Sequence, residues 1–157
     1  MSGENTYEDV GRQHPAHGVH IDLQQPTILL VTVCTKDRNP WLAQSRVHDL
    51  LRATWIQAKA WMVGYYLLMP DHVHMFCAPH DLAFSVERWL TYWKSQFTKA
   101  HQNLDWRFQT DAFHHRLRRQ EGYIEKWSYV RLNPVRKGLV CSPEEWPYWG
   151  MLNVLQW

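Results

Sequence analysis

The order of apolar patterns along the chain predicts an α+β fold, one antiparallel sheet with helices packed against it. Three observations carry this expectation. Short runs rich in β-branched and aromatic residues recur at 27–34, 60–69 and 72–78, the last two parted only by Pro70-Asp71, a turn signal that makes them a hairpin. Two longer stretches, 43–60 and 82–102, carry apolar residues at helical spacing. A short basic segment and a third helical pattern follow, so the predicted order is β, α, β, β, α, β, α.

Taken in order, residues 1–25 hold scattered His, Gly and Gln without periodicity, and we read them as a mobile leader before a single domain over 26–157. The run Thr27-Ile28-Leu29-Leu30-Val31-Thr32-Val33-Cys34 is β-branched and apolar throughout, as a buried first strand requires; Lys36-Asp37-Arg38-Asn39-Pro40 breaks it. In the first helix Val47, Leu50, Leu51, Trp55 and Ala58 share one face. In the second, Val86, Trp89, Leu90, Trp93 and Phe97 stand at i, i+3, i+4, i+7 and i+11. The basic segment 106–119 reads as a last strand or loop. A third helix is expected over 120–133, with Tyr123, Trp127 and Val130 towards the core and Tyr129 and Asn133 off that face; Pro134 stops it near Asn133.

Composition narrows the class. A chain of 157 residues that is 45% apolar can bury a sizeable core. It has no run of about 18 apolar residues for a membrane span, and the polar N-terminus lacks a signal pattern. Three widely separated cysteines, Cys34, Cys77 and Cys141, make neither a disulfide framework nor a zinc knuckle, and a reducing cytoplasm is the simplest compartment. The net charge of +2 is unevenly spread: residues 91–140 hold ten Lys/Arg against four Asp/Glu, a balance of +6 that suits a phosphate-rich partner. Of the ten tryptophans, most are expected in the core and some stacked on unpaired bases.

The chemistry concentrates in two segments. In Asp71-His72-Val73-His74-Met75 two imidazoles stand at i and i+2, on one face of a strand. In Tyr129-Val130-Arg131-Leu132-Asn133-Pro134 a phenol and an amide stand at i and i+4, on one side of a helix. His72, His74 and the Asn133 oxygen can hold a divalent cation, Mg²⁺ or Mn²⁺, with positions left open, and Tyr129 can attack what the metal polarises. Other readings of the same residues stay open at this level. The histidines can be solvent-facing, Tyr129 a core aromatic with Tyr123 its rival as nucleophile, and Asn133 a helix C-cap, with Asp71 then next in line as a ligand. His115, Arg118, Arg119 and Arg131 offer donors for phosphate oxygens. His48, His80, His101 and His114 have no company that would make them ligands.

The same segments carry a family resemblance. His72-Val73-His74 resembles the histidine–hydrophobe–histidine motif of the HUH single-strand DNA endonucleases. Met69-Pro70-Asp71-His72-Val73-His74 and Tyr129-Val130-Arg131-Leu132-Asn133-Pro134-Val135-Arg136-Lys137-Gly138-Leu139-Val140, taken together, resemble the REP-associated tyrosine transposases, single-tyrosine relatives of the insertion-sequence transposases. The similarity spans most of the chain, 26–146, and takes in Trp93-Lys94-Ser95-Gln96-Phe97 and His115 with Arg118. Asp71 stands where that family carries asparagine as often, and a turn-stabilising role is expected for it.

The resemblance implies a ferredoxin-like sheet with the histidine motif on a central strand and the catalytic tyrosine on a late helix facing it. It implies cleavage of single-stranded or hairpin DNA through a 5′-phosphotyrosine link, by a monomer or a homodimer in the cytoplasm, at the nucleoid. It also makes Lys94 a weak site candidate. Two rival functions are a non-catalytic ferredoxin-like nucleic-acid-binding module, which needs no metal and tolerates loss of Tyr129, and a metal-dependent hydrolase, for which a general base is hard to name.

Overall fold

The computed structural model describes residues 27–117 and 122–156. The expected leader over 1–25 and the candidates Arg118 and Arg119 lie outside the described residues. The elements run β1 (Leu29–Cys34), α1 (Ser45–Gln57), β2 (Trp61–Leu68), β3 (His72–Pro79), α2 (Val86–Ala100), β4 (Phe113–Arg116), α3 (Tyr123–Arg131), α4 (Asn133–Arg136) and β5 (Trp149–Met151), with single 3-10 turns at Lys36–Arg38 and Pro143–Glu145. Among the described residues no helix is long and apolar enough to cross a membrane.

The five strands form one antiparallel sheet in the order β4-β1-β3-β2-β5. Its first four strands, with α1 and α2 as crossovers, make the expected ferredoxin-like arrangement. The expected central position of the histidine motif follows: β3 is flanked by β1 and β2. Alternation along β3 then sorts its side chains. Val73, Met75 and Cys77 enter a core with Leu29, Val31 and Val33 of β1 and the apolar stripes of α1 and α2. Phe76 and Ala78 enter a second core on the opposite face, with Tyr123, Trp127 and Val130 of α3. His72 and His74 share this second face.

A β-bulge sets where α3 sits. The pairing of β2 with β3 shifts register between Val63 and Tyr66, so that Gly64 and Tyr65 oppose Phe76 alone. The Tyr65 N–H released from the ladder donates to Tyr123 Oη at 2.8 Å. A Cβ on Gly64 would collide with that hydroxyl and stand 2.7 Å from the Leu155 side chain, so the bulge needs glycine for close approach. Trp127 stacks on Tyr65 with centroids 4.6 Å apart, and Tyr123 meets Phe76 edge-on at 5.0 Å. The helix is thereby laid beside the strand that carries the histidines.

Several expectations need correction. The helix expected over 120–133 is two: α3 ends at Arg131 with Leu132 as its C-cap, and α4 begins at Asn133. Asn133 is therefore not a C-cap; Pro134, whose missing N–H costs nothing in a first turn, opens α4 instead of merely ending α3. Strand β5 was not expected. It pairs with the edge of β2, and Gly150 sits where a Cβ would come within 2.5 Å of Tyr66 Oη. The expectation of base-stacking tryptophans also fails among the described residues, since none is exposed: Trp41, Trp55, Trp61, Trp89, Trp93, Trp106, Trp127 and Trp146 are core, and Trp149 is half-buried. A sheet with cores on both faces consumes its large rings internally.

Candidate functional site

Both histidines sit at the start of β3 and each has its Nδ1 occupied. His72 Nδ1 donates to Asp71 Oδ1 at 2.7 Å, and His74 Nδ1 shares a 2.8 Å hydrogen bond with Thr32 Oγ1, directly across on β1. The rings lie 4.8 Å apart, nearly perpendicular. Fixing Nδ1 fixes the ring, and Nε2 is left as the nitrogen available for coordination, the arrangement usual for metal-ligating histidine. Burial pushes both imidazoles below their ordinary pKa. For His74 burial, then the charges of His72, Arg136 and Arg38, bring it to about 3. Both rings are neutral near pH 7, the state in which a nitrogen lone pair can bind a cation.

Asp71 is tied on both sides. Its Oδ1 holds His72, and its Oδ2 accepts from Arg38 Nε at 2.9 Å. Burial pushes the Asp71 carboxyl up, but the His72 and Arg38 hydrogen bonds outweigh it and hold it below its usual value. Asp71 thus orients a candidate ligand instead of competing as one, and its backbone carbonyl also accepts from Thr35 N–H at 2.9 Å. Arg38 reaches it from a left-handed turn: Asp37 and Arg38 both have φ of 56°. Non-glycine residues held there store strain, a pattern concentrated at functional sites. Arg38 also donates from Nη1 to Cys34 Sγ at 3.1 Å.

Tyr129 projects from α3 away from the core and is 65% exposed. Its rival Tyr123 is only 6% exposed, its hydroxyl bound to the β2 bulge, and burial pushes its phenol well above the usual value. An oxygen committed to the backbone and reluctant to ionise is a poor nucleophile. Two turns beyond Tyr129, Arg136 gathers three groups. Its guanidinium lies 4.1 Å from the Tyr129 ring centroid, and its Nη2 donates to the Tyr129 carbonyl at 2.8 Å and to Asn133 Oδ1. The charge of Arg136 is felt at His74 and that of Lys137 at His72, so α4 comes beside the histidine pair.

The remaining candidates are placed differently. His115 is exposed on the edge strand β4; its register partner Leu30 in turn pairs with Phe76, which puts it on the histidine face. Arg131 covers the Trp149 ring at 4.5 Å and stands 4.0 Å from Glu144. Lys94 lies on α2, across the sheet from the histidines, and its ammonium donates to the Gln109 and Thr110 carbonyls at 2.9 and 3.2 Å, with burial bringing it to about 8. That makes it a tether for the segment before β4. His48, His101 and His114 have protein partners: Tyr66 Oη, the Asn103 N–H and Glu87. The three cysteines are free.

Sequence reasoning missed Arg38, Arg136 and Thr32. Arg38 carried no signal beyond basic charge and Arg136 none beyond its place in the segment that resembles the family, whereas Thr32 was visible in principle as the polar residue facing the motif across a strand pair. Among the described residues no group of three or more His, Cys, Asp or Glu could hold a metal. A site here must complete its shell with the Asn133 amide, solvent or a ligand.

No family model matches the chain, and no curated protein matches it. Solved structures do. A REP-associated tyrosine transposase bound to a REP hairpin superposes with a TM-score of 0.70 at 20% identity, over 88% of this chain and 82% of that one. The expected resemblance thus recurs at the level of the fold.

Proposed function

We propose that the protein is a metal-assisted single-strand DNA endonuclease and strand transferase of the tyrosine transposase kind. The observation that carries this reading is the histidine pair itself: two neutral imidazoles on one face, each with Nδ1 fixed, and the charge felt at His74 is that of Arg136, which covers the ring of the exposed Tyr129. Surface histidines would not need such partners, and a core tyrosine would not be exposed. The likeness to a transposase bound to a hairpin supports DNA of that shape as the partner.

In this reading His72, His74 and Asn133 hold Mg²⁺ or Mn²⁺; the Asn133 amide oxygen is the donor that suits such a hard cation, and the two imidazoles are the softer members of the set. When bound, it withdraws charge from the scissile phosphate. Tyr129 Oη attacks phosphorus; the bond between phosphorus and the 3′ oxygen breaks as the new bond to Oη forms. The phenolic proton ends on the departing 3′-hydroxyl through solvent. A 5′-phosphotyrosine and a free 3′-hydroxyl result, and the reverse step rejoins strands without ATP. Arg38, Arg136, Lys137 and His115 supply cationic or polar contacts to the backbone, with Arg118, Arg119 and Arg131 as weaker candidates. Such an enzyme would act on chromosomal DNA in the cytoplasm, as a monomer or a homodimer.

The test mixes the full chain with single-stranded oligonucleotides that fold into hairpins, with Mn²⁺ or with chelator. The expected outcome is a denaturant-stable adduct only with metal, mapping to Tyr129. Tight hairpin binding with no adduct under any metal would overturn the enzymatic reading and leave a non-catalytic binding module; metal-dependent cleavage without adduct would leave a hydrolase.

A further inference from the structure

Arg136 touches both the Tyr129 ring and the third candidate ligand, and the function proposed above uses it only as a contact to the DNA backbone. Arg136 Nη2 is bound to Asn133 Oδ1, the atom that the proposed function needs for the metal, while the same guanidinium covers the Tyr129 ring at 4.1 Å. An amide oxygen has two lone pairs; with one of them held by a guanidinium, the positive charge of that group opposes a metal ion at the other. We propose that Arg136 is a latch opened by a DNA phosphate: the incoming phosphodiester takes its guanidinium, which frees Asn133 Oδ1 for the metal and lifts the guanidinium from the Tyr129 ring in one movement.

The exchange is favourable on chemical grounds. Arg136 is exposed, and its present partners are two neutral carbonyl oxygens and a ring. A guanidinium offers five donors in a planar fork that matches two phosphate oxygens, and a phosphate adds the negative charge that its present carbonyl partners lack. The nearby charges agree. Arg136, Arg38 and Lys137 all act on the histidine pair, so a phosphate at the histidines arrives within reach of the latch. The connection between phenol and amide is also short, because Tyr129, Asn133 and Arg136 occupy successive turns of α3 and α4. The consequence is that the metal shell is completed on DNA: without it, the third ligand is withheld.

This inference rests on the metal reading above, and Mn²⁺ affinity measured without cleavage separates the two. Mn²⁺ is titrated calorimetrically into the full chain for wild type, Arg136→Leu, Asn133→Ala, the double variant and Lys137→Leu, without DNA and, for wild type and Arg136→Leu, with a hairpin made uncleavable by a bridging sulfur-free phosphonate. Removing any cation near the site tightens Mn²⁺ by charge alone, and Lys137→Leu reports that effect. The latch predicts more: Arg136→Leu tightens DNA-free Mn²⁺ binding beyond Lys137→Leu, by roughly tenfold on the scale at which groups contacting a ligand act. That excess vanishes in the Asn133→Ala background, and the hairpin brings wild type to the Arg136→Leu affinity. Equal gains in the Asn133 and Asn133→Ala backgrounds, or weaker Mn²⁺ binding by Arg136→Leu, overturn the latch and make Arg136 a support. Failure of wild type to bind Mn²⁺ even with the hairpin, or indifference of binding to His72→Ala, overturns the metal reading and the latch with it.

Discussion

The histidine pair is built less by its own motif than by the residues that seize its Nδ1 atoms. His72 depends on Asp71, which in turn is held by Arg38; His74 depends on Thr32 across the strand pair. Outer partners of this kind typically carry 10- to 100-fold in metal affinity. Asp71→Ala should therefore weaken Mn²⁺ binding about tenfold or more while the melting temperature changes little, because the carboxylate is partly exposed; a metal titration beside a thermal melt checks both. Undiminished Mn²⁺ binding in that variant would return Asp71 to a simple turn residue. The two tyrosines make a second contrast at this scale. Tyr129→Phe should abolish the covalent adduct and keep hairpin affinity within a few-fold, since only an exposed oxygen is lost. Tyr123→Phe should do the reverse: the adduct persists, while the bulge N–H of Tyr65 loses its acceptor at a cost of about 1–3 kcal/mol. A denaturing gel and a urea melt on both variants decide between them, and an adduct surviving in Tyr129→Phe would sink the assignment.

At the scale of elements, what could be read in the chain was what has a period. The alternation of Val73, Met75 and Cys77 with His72, His74 and Phe76 is visible in the sequence, and so are the stripes from Val86 to Phe97 and from Tyr123 to Val130. Elements without a period escaped. Strand β5 is three residues held by edge pairing, and the step at Leu132 that makes Asn133 a beginning and not an end depends on φ/ψ values no pattern encodes. The bulge at Gly64 escaped as well, although it determines where α3 lies, because an isolated glycine in a strand signals only some close approach. Its consequence can be tested. Gly64→Ala forces a Cβ into the Tyr123 hydroxyl and the Leu155 side chain. Overpacking of that kind costs about 1–3 kcal/mol, and here it acts on the contact that seats α3. The variant should melt lower and lose adduct formation together, and suppression by Tyr123→Phe, which vacates the colliding oxygen, should restore part of the stability. Unchanged stability of Gly64→Ala would mean that α3 is seated by Trp127 and Tyr65 alone.

For the whole molecule, the sheet divides the labour between its faces. Helices α1 and α2 close one face over a continuous core, while on the other α3 covers the half around Phe76. The uneven charge of the sequence acquires a direction from this division. Part of the +6 balance of residues 91–140 belongs to α2 on the closed side, where Lys94 holds backbone carbonyls and Lys99 sits in the last turn of the helix. Arg136 and Lys137 instead stand by the histidines, joined by Arg38 from the far end of the chain. The total charge therefore overstates the number of phosphate contacts, and individual cations should separate by face. Hairpin binding should fall with salt at a slope of about −0.7 per phosphate contact on single strands. Lys137→Ala should lower that slope by about one contact, whereas Lys99→Ala should leave it unchanged. Affinity measured by anisotropy across a salt series gives each slope directly. A loss from Lys99→Ala equal to that from Lys137→Ala would mean that DNA wraps the helical face as well, and that the histidine end is not where the backbone is gripped.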